Sequence, residues 1–97
     1  MKNLKEIKNI LFLQKKKLEK DFCIKEISIF GSYVKGEQTK ESDIDILADF
    51  NKPVSLLKIV SLENYLYDLL KQKVDVVPKD SLRVELKRNI LQESIKI

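Results

Sequence analysis

The sequence predicts an α+β fold, a small mixed β-sheet backed by α-helices. Three observations carry that reading. Short apolar runs recur near 27–30, 43–50 and 73–77, with the alternating polarity that half-buried strands require. Longer stretches near 3–20 and 55–72 instead repeat their apolar residues every three or four positions, the helical period. Each strand candidate ends at a chain breaker, Gly31, Pro53 or Pro78.

From the amino end, residues 3–20 read as the first helix. Leu4, Ile7, Leu11 and Leu18 share a face, Ile10 and Leu13 widen it, and lysines fill the remainder. A stripe this wide is a core face rather than a membrane-surface face. Cys23 to Phe30 carries the first strand, with Ile27 and Ile29 on one side. Gly36 to Ser42 is a polar loop, in which Ser42 either fixes the turn or is a plain turn serine. Ser55 to Gln72 forms the second long helix. Ile59, Leu62, Leu66 and Leu69 define its apolar face, supported by Leu56, Tyr65 and Leu70. Lys71 and Lys73 follow at its C-terminal end, where the helix dipole favours cations. Tyr65 and Tyr67 go to the core edge, to the surface or to a partner. Lys73 to Val77 is the third strand. A last helix follows, capped by Asp80 or Ser81, with Leu82, Leu86 and Ile90 on one face and Arg83, Lys87 and Arg88 turned to solvent or a partner. Ile95–Ile97 adds either a short strand or an apolar contact.

The chemistry concentrates between Ile27 and Phe50. Gly31-Ser32 follows an apolar strand, ten residues intervene, and Asp43-Ile44-Asp45 opens the next strand. Side chains alternate across a strand, so Asp43 and Asp45 leave one face together. Ile44, Ile46, Ala48 and Phe50 leave the other, which is the core side. Two neighbouring carboxylates repel unless a cation sits between them. Hard cations such as magnesium take carboxylate oxygens together with substrate phosphates. On the other lip, Gly31 permits a sharp bend and close ligand approach. Ser32 either caps the short helix that follows or turns its hydroxyl and amide to an anion. Lys35 adds a positive charge one turn on, and Gly36 ends that helix. A nucleoside triphosphate with magnesium suits both lips. Asp75 interrupts the run Val74–Val77 and faces away from Val74 and Val76. It completes a three-carboxylate cluster if its strand lies beside the Asp43 strand, and is otherwise an exposed acid on an edge strand.

Bulk properties narrow the alternatives. A chain of 97 residues builds one domain with a modest core. Its 43% apolar content argues against wholesale disorder. No apolar run has the length needed to cross a bilayer, and Met1-Lys2 leads into an amphipathic pattern rather than a secretory signal. The single cysteine, Cys23, has no internal disulfide partner, which points to a packing role and a cytoplasmic setting. Histidine is absent, so histidine zinc sites, histidine bases and Ser-His-Asp triads are excluded. Acid–base work therefore falls to carboxylates. The balance of 19 basic against 15 acidic residues, net +4, is spread along the chain. Its one lysine run, Lys15–Lys17, reads as the solvated side of a helix, so a nucleic-acid partner is disfavoured.

Gly31-Ser32, the ten-residue spacing, Asp43-Ile44-Asp45 and then Val74-Asp75-Val76-Val77 together resemble the signature of minimal nucleotidyltransferases (MNT) of the DNA polymerase beta-like superfamily. The resemblance runs from about Lys25 to the end. It implies the nucleotidyltransferase fold in a single domain over 1–97, with an N-terminal helix at 1–22, a catalytic core at 24–78 and a C-terminal helix and tail at 80–97. It implies that Asp43, Asp45 and Asp75 are the catalytic and metal-binding acids, holding two magnesium ions on ATP. Gly31, Ser32 and Lys35 would bind the nucleotide phosphates. Family members often carry Arg where this chain has Lys35 and Ala where it has Val34; lysine keeps the charge but loses the planar fork.

The same resemblance implies a partner. Larger relatives append a substrate-holding domain, whereas here the missing wall would come from another protein or a second copy of the chain. Stand-alone chains of this size resemble antitoxins paired with HEPN-domain ribonuclease toxins, which transfer AMP from ATP to a toxin tyrosine. Two other readings compete: a non-catalytic antitoxin acting by contact alone, and a nucleotidyltransferase for a small molecule.

Overall fold

Asn3 starts the first helix through a reciprocal cap. Its side chain accepts from the Glu6 amide at 2.9 Å, and the Glu6 carboxylate accepts from the Asn3 amide at 3.4 Å. Two otherwise unpaired donors are thereby satisfied. The computed structural model describes residues 2–97; the Met1 end of the segment expected at 1–22 lies outside them. Helix α1 runs Leu4–Leu13 and helix α2 runs Lys15–Phe22, so the single helix expected over 3–20 is broken at Gln14. There the Gln14 side-chain oxygen accepts from the Tyr65 hydroxyl at 2.7 Å. Leu13, expected on the buried stripe, is 79% exposed. It lies two residues beyond Leu11, roughly 200° further round the helix, and so points outward.

Strand β1 (Ile24–Phe30), the short helix α3 (Ser32–Lys35), β2 (Ile44–Phe50), α4 (Leu56–Leu70) and β3 (Val74–Pro78) follow in order. A single turn of 3-10 helix at Lys79–Ser81 leads to α5 (Val84–Glu93) and β4 (Ile95–Lys96). The sheet order is β3-β2-β1-β4. Strands β1 and β2 are antiparallel, with Ile29 opposite Ile46 and Phe30 opposite Asp45. Strands β2 and β3 are parallel, which demands a crossover, and α4 supplies it. The carboxyl-terminal residues resolve as a strand, with Ser28 opposite Lys96 on the other side of β1. The sheet is therefore mixed and four-stranded, as expected of the α+β class.

One apolar layer holds these elements together. Ile7 and Leu11 from α1, Leu18 and Phe22 from α2, and Leu62, Leu66 and Leu70 from α4 meet Ile27, Ile29, Ile44, Ile46, Ala48, Val74 and Val76 of the sheet. The α4 residues recur every fourth position, so one stripe of that helix is fully buried. Truncating Leu66 to alanine costs about 2–5 kcal/mol on the usual scale for such sites. Ser55 caps α4 by accepting from the Lys58 amide at 3.2 Å. Tyr65 is half-buried and rests on Phe22, with ring centroids 5.2 Å apart, whereas Tyr67 is exposed.

The last helix departs from expectation. Neither Asp80 nor Ser81 caps it: the Ser81 hydroxyl donates back to the Pro78 carbonyl at 2.8 Å, and the helix begins only after Arg83. Leu82 falls outside it, and none of its residues is fully buried. Among the described residues, no helix is long and apolar enough to cross a membrane.

Candidate active site

Strand pairing decides where the acids stand. In the parallel ladder Asp45 lies directly opposite Asp75, with Ile44 opposite Val74 and Ile46 opposite Val76. Neighbouring strands are about 4.8 Å apart, so the two carboxylates leave the same face side by side. Asp43, two residues before Asp45, shares that face at the entrance to β2. Ile44, Ile46 and Ala48 fill the opposite face and are fully buried. The apolar side of β2 thus fixes the direction of the acidic side.

The three charges act on one another. The Asp45 carboxyl is pushed above its ordinary value, first by burial, then by Asp75 and then by Asp43. Among the described residues, no cation offsets that rise, so Asp45 carries a charge that its surroundings disfavour. Asp43 is placed differently: Lys73 Nζ lies 3.7 Å from its Oδ2, and both side chains are well exposed.

Gly31 forms the facing lip. Its backbone adopts φ +80°, ψ −147°, a region that suits glycine alone. A Cβ there would collide with Asp45 Oδ2. Gly31 and Asp45 are therefore in direct contact. The expectation that Ser32 caps α3 is corrected: Gly31 occupies the cap position without a side-chain bond, and Ser32 is the first helical residue. Gly36 ends α3 in the left-handed conformation, as expected. Lys35 pairs with Glu93 of α5 at 3.6 Å. In the loop before the acids, the Ser42 hydroxyl accepts from the Thr39 amide at 2.8 Å, so this serine does fix the turn.

Three further residues position the site, and local patterning marks none of them. Tyr33, 2% exposed, accepts a hydrogen bond from the Gln72 amide, which ties α3 to the junction between α4 and β3. The aromatic ring directly after Gly31-Ser32 was the only available signal for it. Glu63 of α4 accepts from the Val76 amide at 2.9 Å, holding the edge strand that carries Asp75. The Lys73 carbonyl accepts from the Ile44 amide at 2.9 Å, locking the two strand entrances together.

The donor set suits a hard divalent cation, since it consists of carboxylate oxygens in an electrostatically strained group. Among the described residues, no three acids are already gathered around one point that could hold an ion. Asp45 and Asp75 are paired, but Asp43 leans toward Lys73. The acids stand on an open lip, and pronounced concavities lie elsewhere, one of them lined by Phe50, Pro53, Val54, Ile59 and Pro78.

Comparison with known proteins identifies the family. The nucleotidyltransferase domain profile matches residues 6–97. A candidate protein adenylyltransferase of Methanocaldococcus jannaschii is 50% identical over 95 residues, spanning 98% of this chain and 97% of its own. The protein adenylyltransferase MntA of Thermococcus cleftensis is 46% identical over 95 residues, spanning 98% of this chain and 96% of its own. A solved toxin–antitoxin structure with AMP-PNP contains a chain that superposes with a TM-score of 0.74 at 27% identity, covering 91% of this chain and 69% of that one. A profile match over nearly the whole length, relatives at about half identity and a shared fold leave one assignment: this chain belongs to the nucleotidyltransferase domain family.

Proposed function

We propose that the chain is an antitoxin that transfers AMP from ATP to a tyrosine hydroxyl of a partner HEPN-domain ribonuclease toxin. One observation carries the chemistry: Asp45 stands opposite Asp75 in register and packs against the side-chain-free face of Gly31. The names of the relatives support transfer to a protein, and the AMP-PNP in the solved toxin–antitoxin structure supports ATP as donor.

In this reading Asp43, Asp45 and Asp75 hold two magnesium ions. Bound magnesium supplies Lewis-acid charge neutralisation on the phosphates and lowers the pKa of a coordinated hydroxyl. The chain's own residues do the rest. The Gly31-Ser32 amides and the Ser32 hydroxyl orient the terminal phosphates, and Lys35 adds charge. Asp75 takes the proton from the acceptor tyrosine, whose hydroxyl otherwise ionises near pH ~10. The tyrosine oxygen then forms a bond to the α-phosphorus, the bond from that phosphorus to the bridging oxygen breaks, and pyrophosphate leaves. Exclusion of water from this open lip falls to the partner surface.

A second reading has its own observation. Leu56, Leu57, Val60 and Tyr67 leave the outward side of α4 apolar and exposed, a surface able to neutralise a toxin by contact alone. Incubation of the chain and its genomic neighbour with α-labelled ATP and magnesium separates the two. Label on the neighbour, lost in Asp43→Asn and Asp45→Asn, supports transfer. Neutralisation without label, unaffected by those substitutions, supports contact.

A further inference from the structure

The site contains a cation that the transfer mechanism leaves unused. Lys73 Nζ lies 3.7 Å from Asp43 Oδ2, and the lysine side chain is 77% exposed against 38% for the aspartate. Its backbone is not free to drift, because the Lys73 carbonyl accepts from the Ile44 amide at 2.9 Å. That bond roots the lysine at the entrance to β3, next to the entrance to β2 where Asp43 stands. Sheet register therefore keeps the two residues neighbours, with the ammonium always within reach of the carboxylate. The strength of the contact is nonetheless small: exposed pairs at this separation are readily exchanged. Asp45 and Asp75, by contrast, have no ion-pair partner among the described residues, and no three acids converge on one point.

We infer that Lys73 is a tethered counter-cation that occupies Asp43 until a metal–nucleotide complex displaces it, so that metal binding depends on the triphosphate. A free divalent ion must compete with the ammonium for Asp43 while adding its own charge beside it. A metal entering with a triphosphate brings negative charge that compensates the released ammonium, and the competition disappears. Lys73 is in this sense a positioning residue, acting through Asp43. The inference rests on the metal-binding reading of the three acids given above.

The test is metal affinity, measured on the whole chain with Mn²⁺ in the presence and absence of AMP-PNP. Lys73→Ala is expected to tighten Mn²⁺ binding without nucleotide by about two- to fivefold, the range that exposed ion pairs span. It is also expected to shrink the factor by which AMP-PNP improves Mn²⁺ affinity. Lys73→Arg should keep parental behaviour. Lys71→Ala controls for the loss of a nearby positive charge that makes no ion pair with Asp43, and should change Mn²⁺ affinity less than Lys73→Ala. Equal effects of Lys71→Ala and Lys73→Ala, or an unchanged nucleotide dependence in Lys73→Ala, would overturn the inference while leaving the metal site intact. Absence in the parent chain of any Mn²⁺ binding sensitive to Asp45→Asn would instead overturn the metal reading itself, and the role of Lys73 with it.

Discussion

Gly31 and Asp45 share one volume: the space a side chain at position 31 would need is filled by the Asp45 carboxylate. Gly31→Ala therefore meets two penalties at once, the collision and a backbone at φ +80°. Such strain costs on the order of 1–3 kcal/mol. The melting midpoint should fall by roughly 5–20 °C in a thermal scan, given about 4–8 °C per kcal/mol for a domain of this size. Transfer activity at a permissive temperature should fall by about 100-fold, because the acid is pushed from its place.

Asp45 has the opposite relation to stability. Its carboxyl is raised above 3.8 in the folded chain by burial, Asp75 and Asp43. A raised acid contributes stability only below its unfolded pKa, and that contribution is lost as the pH rises through the folded value. At neutral pH the ionised Asp45 therefore works against folding. Asp45→Asn should melt higher than the parent at pH 7 in a thermal scan. The difference should vanish below about pH 3, where both states of the parent hold the proton. Activity should be lost in the same variant, so the melting curve and the assay move in opposite directions.

Lys35 and Glu93 give a paired expectation. The lysine is 3.6 Å from the glutamate in the free chain and is the proposed phosphate contact. Lys35→Ala should raise KM for ATP by about tenfold, as loss of a charge-assisted contact does. Glu93→Gln frees the ammonium and should lower KM by roughly twofold. Steady-state kinetics on both variants check the opposed signs.

The break at Gln14 is a matter of folding alone. Tyr65→Phe removes the 2.7 Å hydrogen bond to the Gln14 side chain. The expected cost is about 0.5–1.5 kcal/mol, read as a lower melting midpoint with unchanged kinetics.

These residues also mark how far the sequence could be read. The acids were legible because strand alternation is local: Ile44, Ile46 and Ala48 had to face the core, so Asp43 and Asp45 had to face away. Asp75 was legible as a candidate, but its pairing with Asp45 is a property of the parallel register and awaited the fold. What local patterning missed depends on distant partners. Gln14 breaks the first helix at a contact 51 residues away, and Tyr33 meets Gln72 at 39. Lys73 read as a helix-end cation, and only sheet register puts it beside Asp43. Ser32 and Ser81 had the right chemistry for caps, but Gly31 and Arg83 hold those positions.

The proposed transfer requires a divalent cation held by carboxylates presented from β2 and β3. Anomalous scattering from crystals grown with Mn²⁺ and AMP-PNP tests this directly. The expected result is manganese bound by oxygens of Asp45 and Asp75, with Asp43 turned from Lys73 toward the metal and the triphosphate lying along Gly31-Ser32. Nucleotide bound with no manganese at these three acids, or manganese bound only elsewhere on the chain, would contradict it.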